Sequence, residues 1–370
     1  MHSEYHTYLA QVRAALWGGE VSWPEAETDH LLTLHVQQGT GALVYPLVLT
    51  QSALSSYARA QMRTMCVHTM QQQVHLQHIL TQSWQALTDA GVEPVLLKGA
   101  GLAALYPEPY YRAWGDIDLF VGKKHYHTAC AAMRALFPDA LKFDEELEHY
   151  KHYNLIADGV SIELHRVTVG LQHPLDERRY DAMEKYGMMH SEPLTENGLN
   201  IRVPEPTFNV LFVFLHAWEH MLSAGANMRQ LCDLALLLSH YKDRIDAVRL
   251  HRWLTSIHLL DVWQVVEYIL VKHLGLPTEC QLYVSTVIAD RAERLLADLL
   301  GGKMVEQKAA EGSLSAKQTN RFVRKWRTMQ LRNENAKRIR QYSPSYARHM
   351  MATTWLHGAL RFFAKDRHWE

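Results

Sequence analysis

The sequence predicts an α+β protein, a small α/β core with a mixed sheet flanked by N-terminal and C-terminal helical regions. Three observations carry that expectation. Apolar residues recur at helical spacing through residues 4–90, the pattern switches to short and alternating apolar runs between 91 and 165, and helical periodicity returns from Phe208 almost to the end. The chain therefore divides into a helical region at 1–90, an α/β core at 91–205 and a helical domain with a basic tail at 206–370.

In the first region the helical stripes are Tyr8-Leu9-Val12-Ala15-Leu16 and Met70-Val74-Leu76-Ile79-Leu80-Trp84-Leu87, with turn signals at Gly18-Gly19 and Gly39-Thr40-Gly41 between them. Pro94-Val95-Leu96-Leu97 then reads as a strand that ends in Lys98-Gly99-Ala100-Gly101, after which Leu102, Leu105 and Tyr106 predict a helix stopped by Pro107. Asp116-Ile117-Asp118-Leu119-Phe120-Val121 alternates polar and apolar as a half-buried strand does. A helix follows from about Lys123 to Leu136, broken by Pro138. Tyr150–Ala157 and Val160–His165 are two more strands, joined at Asp158-Gly159, a favoured hairpin turn. The later helices break near Pro277, Gly301-Gly302 and Pro344. There are no repeats and no low-complexity stretch.

Composition excludes several classes. With 48% hydrophobic and 21% charged residues among 370, the chain has the make-up of a folded protein and not of a disordered one. The four cysteines, Cys66, Cys130, Cys232 and Cys280, stand far apart without a Cys-x-x-Cys pair, which predicts small core residues in a reducing compartment. Residues 1–6 lack the features of a signal peptide. The most apolar run, Phe208–Trp218, falls short of the ~20 residues of a membrane span. The expected location is cytoplasmic. Charge is uneven: residues 317–370 hold thirteen Lys or Arg against three Asp or Glu, so this tail carries +10 and the remainder −11. A basic face of that kind packs on its own protein, meets an anionic partner or lies on a membrane surface.

The chemistry concentrates on three places. On a strand, Asp116 and Asp118 share one face while Ile117 and Leu119 anchor the other, so two carboxylates converge in the manner that suits Mg²⁺ or Mn²⁺. Asp-x-Asp by itself arises about once by chance in a chain of this length; its neighbours give it weight. Lys98-Gly99-Ala100-Gly101 joins a strand to a helix, so its backbone N–H groups and the Lys98 charge suit a phosphate, although a glycine turn that admits nothing bulkier reads the same way. On Val160–His165, Glu163 and His165 face away from Val160, Ile162 and Leu164. Glu163 is expected to complete the acidic site as a metal ligand or as a base. For His165 three roles stand open: orienting Glu163, contacting phosphate, or a structural hydrogen bond. Arg112 pairs with either phosphate or a carboxylate.

Lys98-Gly99, Leu102, Tyr106, Arg112, Asp116-Ile117-Asp118-Leu119-Phe120-Val121 and Ile162-Glu163-Leu164-His165 together resemble the uncharacterised nucleotidyltransferase family of the polymerase-beta-type superfamily. The resemblance implies a minimal nucleotidyltransferase core, binding of a nucleoside triphosphate with Mg²⁺ or Mn²⁺, and transfer of a nucleoside monophosphate to a hydroxyl or phosphate acceptor with release of pyrophosphate. It makes Asp116, Asp118 and Glu163 the catalytic residues and metal ligands, with Lys98, Gly99, Ala100, Arg112 and His165 toward the nucleotide. Lys98-Gly99 stands where better-known superfamily members have Gly-Ser, whose serine contacts phosphate. A catalytically inactive nucleotide- or partner-binding protein of the same fold is therefore the alternative. His216, His220, Gly225, Arg229, Gln230 and Asp233 resemble a segment that accompanies the core in that family, and Arg229 and Asp233 stand at the spacing of a helical side-chain pair. His216-Ala217-Trp218-Glu219-His220 also matches the His-x-x-Glu-His pattern of inverted zinc peptidases, which would need a third ligand from downstream; packed core histidines are the competing reading.

Overall fold

Five strands form the sheet of the core: β1 (Val95–Leu96), β2 (Asp116–Phe120), β3 (Leu141–Lys142), β4 (His152–Ala157) and β5 (Val160–His165), in the spatial order β1-β2-β5-β4-β3. The sheet is mixed, because β2 and β5 run parallel while the other neighbours are antiparallel. Asp158 and Gly159 both take positive φ, 49° and 79°, as the two-residue turn between β4 and β5 requires. A computed structural model of the chain describes residues 3–21, 23–24, 28–49, 51, 54–142, 151–171, 173–196, 198–222, 226–283, 288–301 and 336–352. Tyr150, Gly225 and most of the basic tail lie outside the described residues, and with them the expectation of an anionic or membrane partner for 317–370.

Twelve labelled helices surround the sheet among these residues: α1 (Ser3–Trp17), α2 (Thr28–Gln37), α3 (Gly41–Leu49), α4 (Ser56–Asp89), α5 (Ala100–Ala103), α6 (Gly122–Leu136), α7 (Pro174–Met189), α8 (Pro206–Leu222), α9 (Met228–His240), α10 (Ala247–Ser256), α11 (Leu260–Lys272) and α12 (Ala289–Leu300). A separate hairpin pairs β6 (Glu192–Glu196) with β7 (Leu199–Val203). The fold is thus α+β, with a small mixed sheet and helices on both sides of it in sequence. All four cysteines are free and buried.

Period-two alternation decides how the sheet is sandwiched. Ile117, Leu119, Tyr153, Leu155, Ile162 and Leu164 are buried on one face, in a core shared with Leu76, Leu80 and Trp84 of α4 and Tyr126 and Met133 of α6. The opposite face of β2 and β5 carries Asp116, Asp118, Glu163 and His165 toward α8. The other core joins α1–α3 to α8–α12, so the two helical flanks pack together: Trp17 donates to the Leu274 carbonyl at 2.6 Å and Gln38 accepts from the Met228 N–H at 2.8 Å. Helix α4 is long enough to enter both cores.

One buried acid makes this helical core sensitive to pH. Glu267 of α11 accepts from the N–H groups of Leu282 and Tyr283 at 2.6 and 3.0 Å, and burial pushes its carboxyl up to about 7 against those bonds. A carboxyl raised in the folded state is fully stabilising below its free value of about 4.3 and loses that contribution as pH rises through the folded value. Stability to urea is therefore expected to fall between pH 5 and 8, by up to about 3 kcal/mol from this residue, and Glu267→Gln should flatten the slope. An unchanged slope would exclude Glu267 as its source.

Candidate active site

Strand register brings the acidic residues together. Because β2 and β5 are parallel, Asp116 lies opposite Ser161, Asp118 opposite Glu163 and Phe120 opposite His165. Carboxylate oxygens of Asp116, Asp118 and Glu163 all lie within 4.8 Å of one another. Asp118 is almost wholly buried and Asp116 and Glu163 are partly exposed, so the group opens to solvent from its deep end outward.

His165 sits inside this group. Its Nε2 lies 3.1 Å from Asp118 Oδ1 and 3.2 Å from Glu163 Oε2, while Nδ1 meets the Val167 carbonyl at 3.3 Å. Both of its ring nitrogens are thus engaged within the protein, Nε2 by the two carboxylates and Nδ1 by the backbone. Burial opposes the charged imidazolium, but the hydrogen bonds to Asp118 and Glu163 outweigh it and raise the pKa.

Lys98 points inward, to the carboxylates. Its Nζ is 3.0 Å from Asp118 Oδ1, 3.9 Å from Asp116 Oδ2 and 3.4 Å from His216 Nε2. Burial would lower the Lys98 ammonium, yet the two aspartates raise it. Burial would likewise raise the Asp118 carboxyl, but the Lys98 ammonium and the His165 hydrogen bond hold it well below the usual range. Asp116 moves the other way, raised first by the charge of Asp118 and then by burial. His216 is kept neutral, by burial and by the adjacent Lys98 charge.

The Lys98-Gly99 turn differs from its expectation in one respect. Only Ala100–Ala103 is helical, and Leu105 and Tyr106 close the segment with bonds to residues three back. Pro107 disfavours helical backbone at Tyr106 and tightens the last turn. A four-residue helix has little macrodipole to offer a phosphate. Gly99 has its own steric reason: φ is +57°, and an added Cβ would stand 3.0 Å from Trp114 Cε3. Gly99→Ala is expected to cost about 1–3 kcal/mol in urea denaturation; a neutral result would mean that neither the positive φ nor the Trp114 ring constrains this position.

Arg112 does not face the acidic strand's carboxylates. Its guanidinium is buried and forked onto Asp233, Nε to Oδ1 at 2.6 Å and Nη2 to Oδ2 at 2.8 Å, and Nη1 donates to the Gly99 carbonyl at 3.2 Å. Tyr106 donates to Asp233 Oδ1 at 2.7 Å, and Arg229 donates to the Ala113 carbonyl at 2.6 Å. Asp233 takes its hydrogen bonds from Arg112 and Tyr106, which hold the turn to α9, while the Arg229 charge also acts on it.

A cavity of about 140 Å³ opens between Asp116 and the ends of α8 and α9, its walls including Lys98, Trp114, His216, His220, Asn227 and Arg229. His216 and His220 therefore belong to the surroundings of the acidic group. Glu219 meets Lys151 at 3.3 Å, and among the described residues no set of three metal-ligating side chains contains His216 or His220. The zinc-peptidase constellation lacks its third ligand there. His152, whose Nε2 is 3.9 Å from Glu163 Oε2, went unnoticed in the sequence. The two-residue turn at Asp158-Gly159 held the signal, since it fixes the pairing that puts His152 opposite His165.

The donor set suits a divalent cation. Asp118 Oδ2 is buried without a hydrogen-bond partner among the described residues, beside the oxygens of Asp116 and Glu163. Such an orphaned carboxylate oxygen is costly unless a cation meets it. The carboxylates are oxygen donors of the kind that hard divalent ions take.

A family model described as "Uncharacterised nucleotidyltransferase" matches residues 24–272. The crystal structure of an antigenic nucleotidyltransferase-like protein from Paracoccidioides brasiliensis is similar over 54% of this chain and 91% of that chain, at 14% identity and a TM-score of 0.33. No curated protein matches the chain.

Proposed function

The chain belongs to the uncharacterised nucleotidyltransferase family, and from that premise we propose that it transfers a nucleoside monophosphate from a nucleoside triphosphate to a hydroxyl or phosphate acceptor. The observation that carries this reading is the convergence of Asp116, Asp118 and Glu163, with one buried Asp118 oxygen left unpartnered. These three carboxylates would hold Mg²⁺ or Mn²⁺. When bound, the divalent ion neutralises charge on the phosphate oxygens and on the departing pyrophosphate. His165 holds Asp118 and Glu163 in position. The triphosphate enters the cavity beside Asp116, and that cavity's lining includes Lys98, Gly99, Arg112, His220 and Arg229 as its positive and N–H surroundings. An oxygen of the acceptor attacks the α-phosphorus, the bond from that phosphorus to the oxygen bridging α and β breaks so that pyrophosphate leaves, and the proton of a hydroxyl acceptor passes to Glu163 or to water. Arg112 lines the same cavity, but its guanidinium is committed to Asp233 and the Gly99 carbonyl, so it is assigned first to holding the turn.

The test is pyrophosphate release and label transfer from α-labelled triphosphates with Mg²⁺ or Mn²⁺. A signal that needs the divalent ion supports the reading. Lys98 gives the catalytically inactive alternative a foothold, because its ammonium 3.0 Å from Asp118 already supplies positive charge to the carboxylates. An inactive protein of that kind would bind nucleotide without needing a divalent ion and would release no pyrophosphate.

A further inference from the structure

A second cluster of metal-ligating side chains lies apart from the acidic strands. His173 precedes α7, Asp176 lies in its first turn, and His349 comes from the C-terminal segment 336–352. One donor atom from each lies within 4.8 Å of the other two. His349 Nε2 is 2.5 Å from Asp176 Oδ2, and His173 Nδ1 is 3.9 Å from Asp176 Oδ1. The two imidazole rings stand 5.2 Å apart, and His258 lies against His349 with centroids 4.0 Å apart. Asp176 is buried, and both histidine side chains are less than one-fifth exposed, at 14% and 18%.

The three residues border a cavity of about 20 Å³, walled elsewhere by Leu171, Ile257, Leu259 and Met350. That is room for one water-sized species. We propose that His173, Asp176 and His349 form a zinc-class metal site that fastens the 336–352 segment to α7. Two imidazoles and a carboxylate are a donor set for Zn²⁺, whereas Mg²⁺ and Ca²⁺ prefer oxygens throughout. Three protein donors leave the fourth position to water. The ion shares the Asp176 carboxylate with Arg179, whose Nη1 lies 3.0 Å from Oδ1, whereas a metal bond at His173 Nδ1 would replace the bond that nitrogen accepts from the Leu175 N–H at 3.2 Å. Arg179 is also anchored on the Ser256 carbonyl at 2.7 Å, to one side of the histidines.

The experiment uses the full chain carrying Glu163→Gln, because Glu163 belongs to both other clusters that could hold a metal among the described residues. The protein is stripped with chelator, loaded with Zn²⁺ or Co²⁺ and desalted. One equivalent of zinc should be retained, and Co²⁺ should give the visible absorption of a four-coordinate site. Adding His349→Gln or His173→Gln should abolish both, with the circular dichroism spectrum unchanged. No retained zinc in the Glu163→Gln protein, or zinc retained equally in the folded histidine variants, overturns the proposal and leaves a hydrogen-bonded cluster only. Should a histidine variant fail to fold, the Co²⁺ spectrum of the Glu163→Gln protein decides: absorption of a four-coordinate site supports the proposal, and its absence overturns it.

Discussion

Asp118→Asn is expected to lower nucleotidyl transfer about a thousandfold, the equivalent of roughly 4 kcal/mol of lost transition-state stabilisation. Asp118 is the deepest of the three carboxylates and carries the unpartnered oxygen. The same change removes the closest counter-charge of Lys98, 3.0 Å away, and leaves a buried ammonium facing Asp116 at 3.9 Å. Breaking a buried pair from one side costs about 3–5 kcal/mol, mostly through the charge left behind. A loss of activity could then come from unfolding. The double variant Asp118→Asn/Lys98→Met separates the two effects, because it removes both charges and should regain most of the melting temperature without regaining transfer. Transfer restored along with stability would sink Asp118 as a metal ligand.

Asp233→Ala should lower stability by about 3–5 kcal/mol, read as a lower midpoint in guanidinium. It strands Arg112, whose pKa is raised, against burial, by Asp233, and it removes the acceptor of Tyr106. Arg112→Lys should also destabilise, since an ammonium cannot reproduce the fork onto Asp233 or reach the Gly99 carbonyl at the same time. Among molecules that remain folded, nucleotide binding by thermal shift should survive Arg112→Lys. The opposite outcome, full stability with lost nucleotide affinity, would return Arg112 to the phosphates.

Much of the core was legible because it is local. Alternation over Asp116–Val121 and Val160–His165 predicts which side chains share a face, and the turn at Asp158-Gly159 fixes the hairpin. The start of the last helical region at Pro206 follows from the apolar run beginning at Phe208. Helix α7 and the β6–β7 hairpin gave no such signal. Helix α7 is polar, with a stripe interrupted by Gly187, and Glu192-Pro193-Leu194-Thr195-Glu196 has the composition of a loop. The hairpin forms through pairing with Leu199–Val203 and burial of Ile201 and Val203. Its stability is tertiary.

The sequence alone determined that Asp116 and Asp118 lie on one strand face and that Glu163 and His165 lie together on another, because a strand's two-residue period is set by backbone geometry. It did not determine that β5 runs parallel beside β2, which places Glu163 at Asp118. Nor did it determine the directions of the long cations. Lys98 and Arg112 each have several rotatable bonds, and their ends go where a buried carboxylate compensates the loss of water. Asp118 comes within reach of Lys98 when β1 pairs with β2, where the Leu97 N–H donates to the Asp118 carbonyl, and Asp233 comes within reach of Arg112 when α9 packs against the turn.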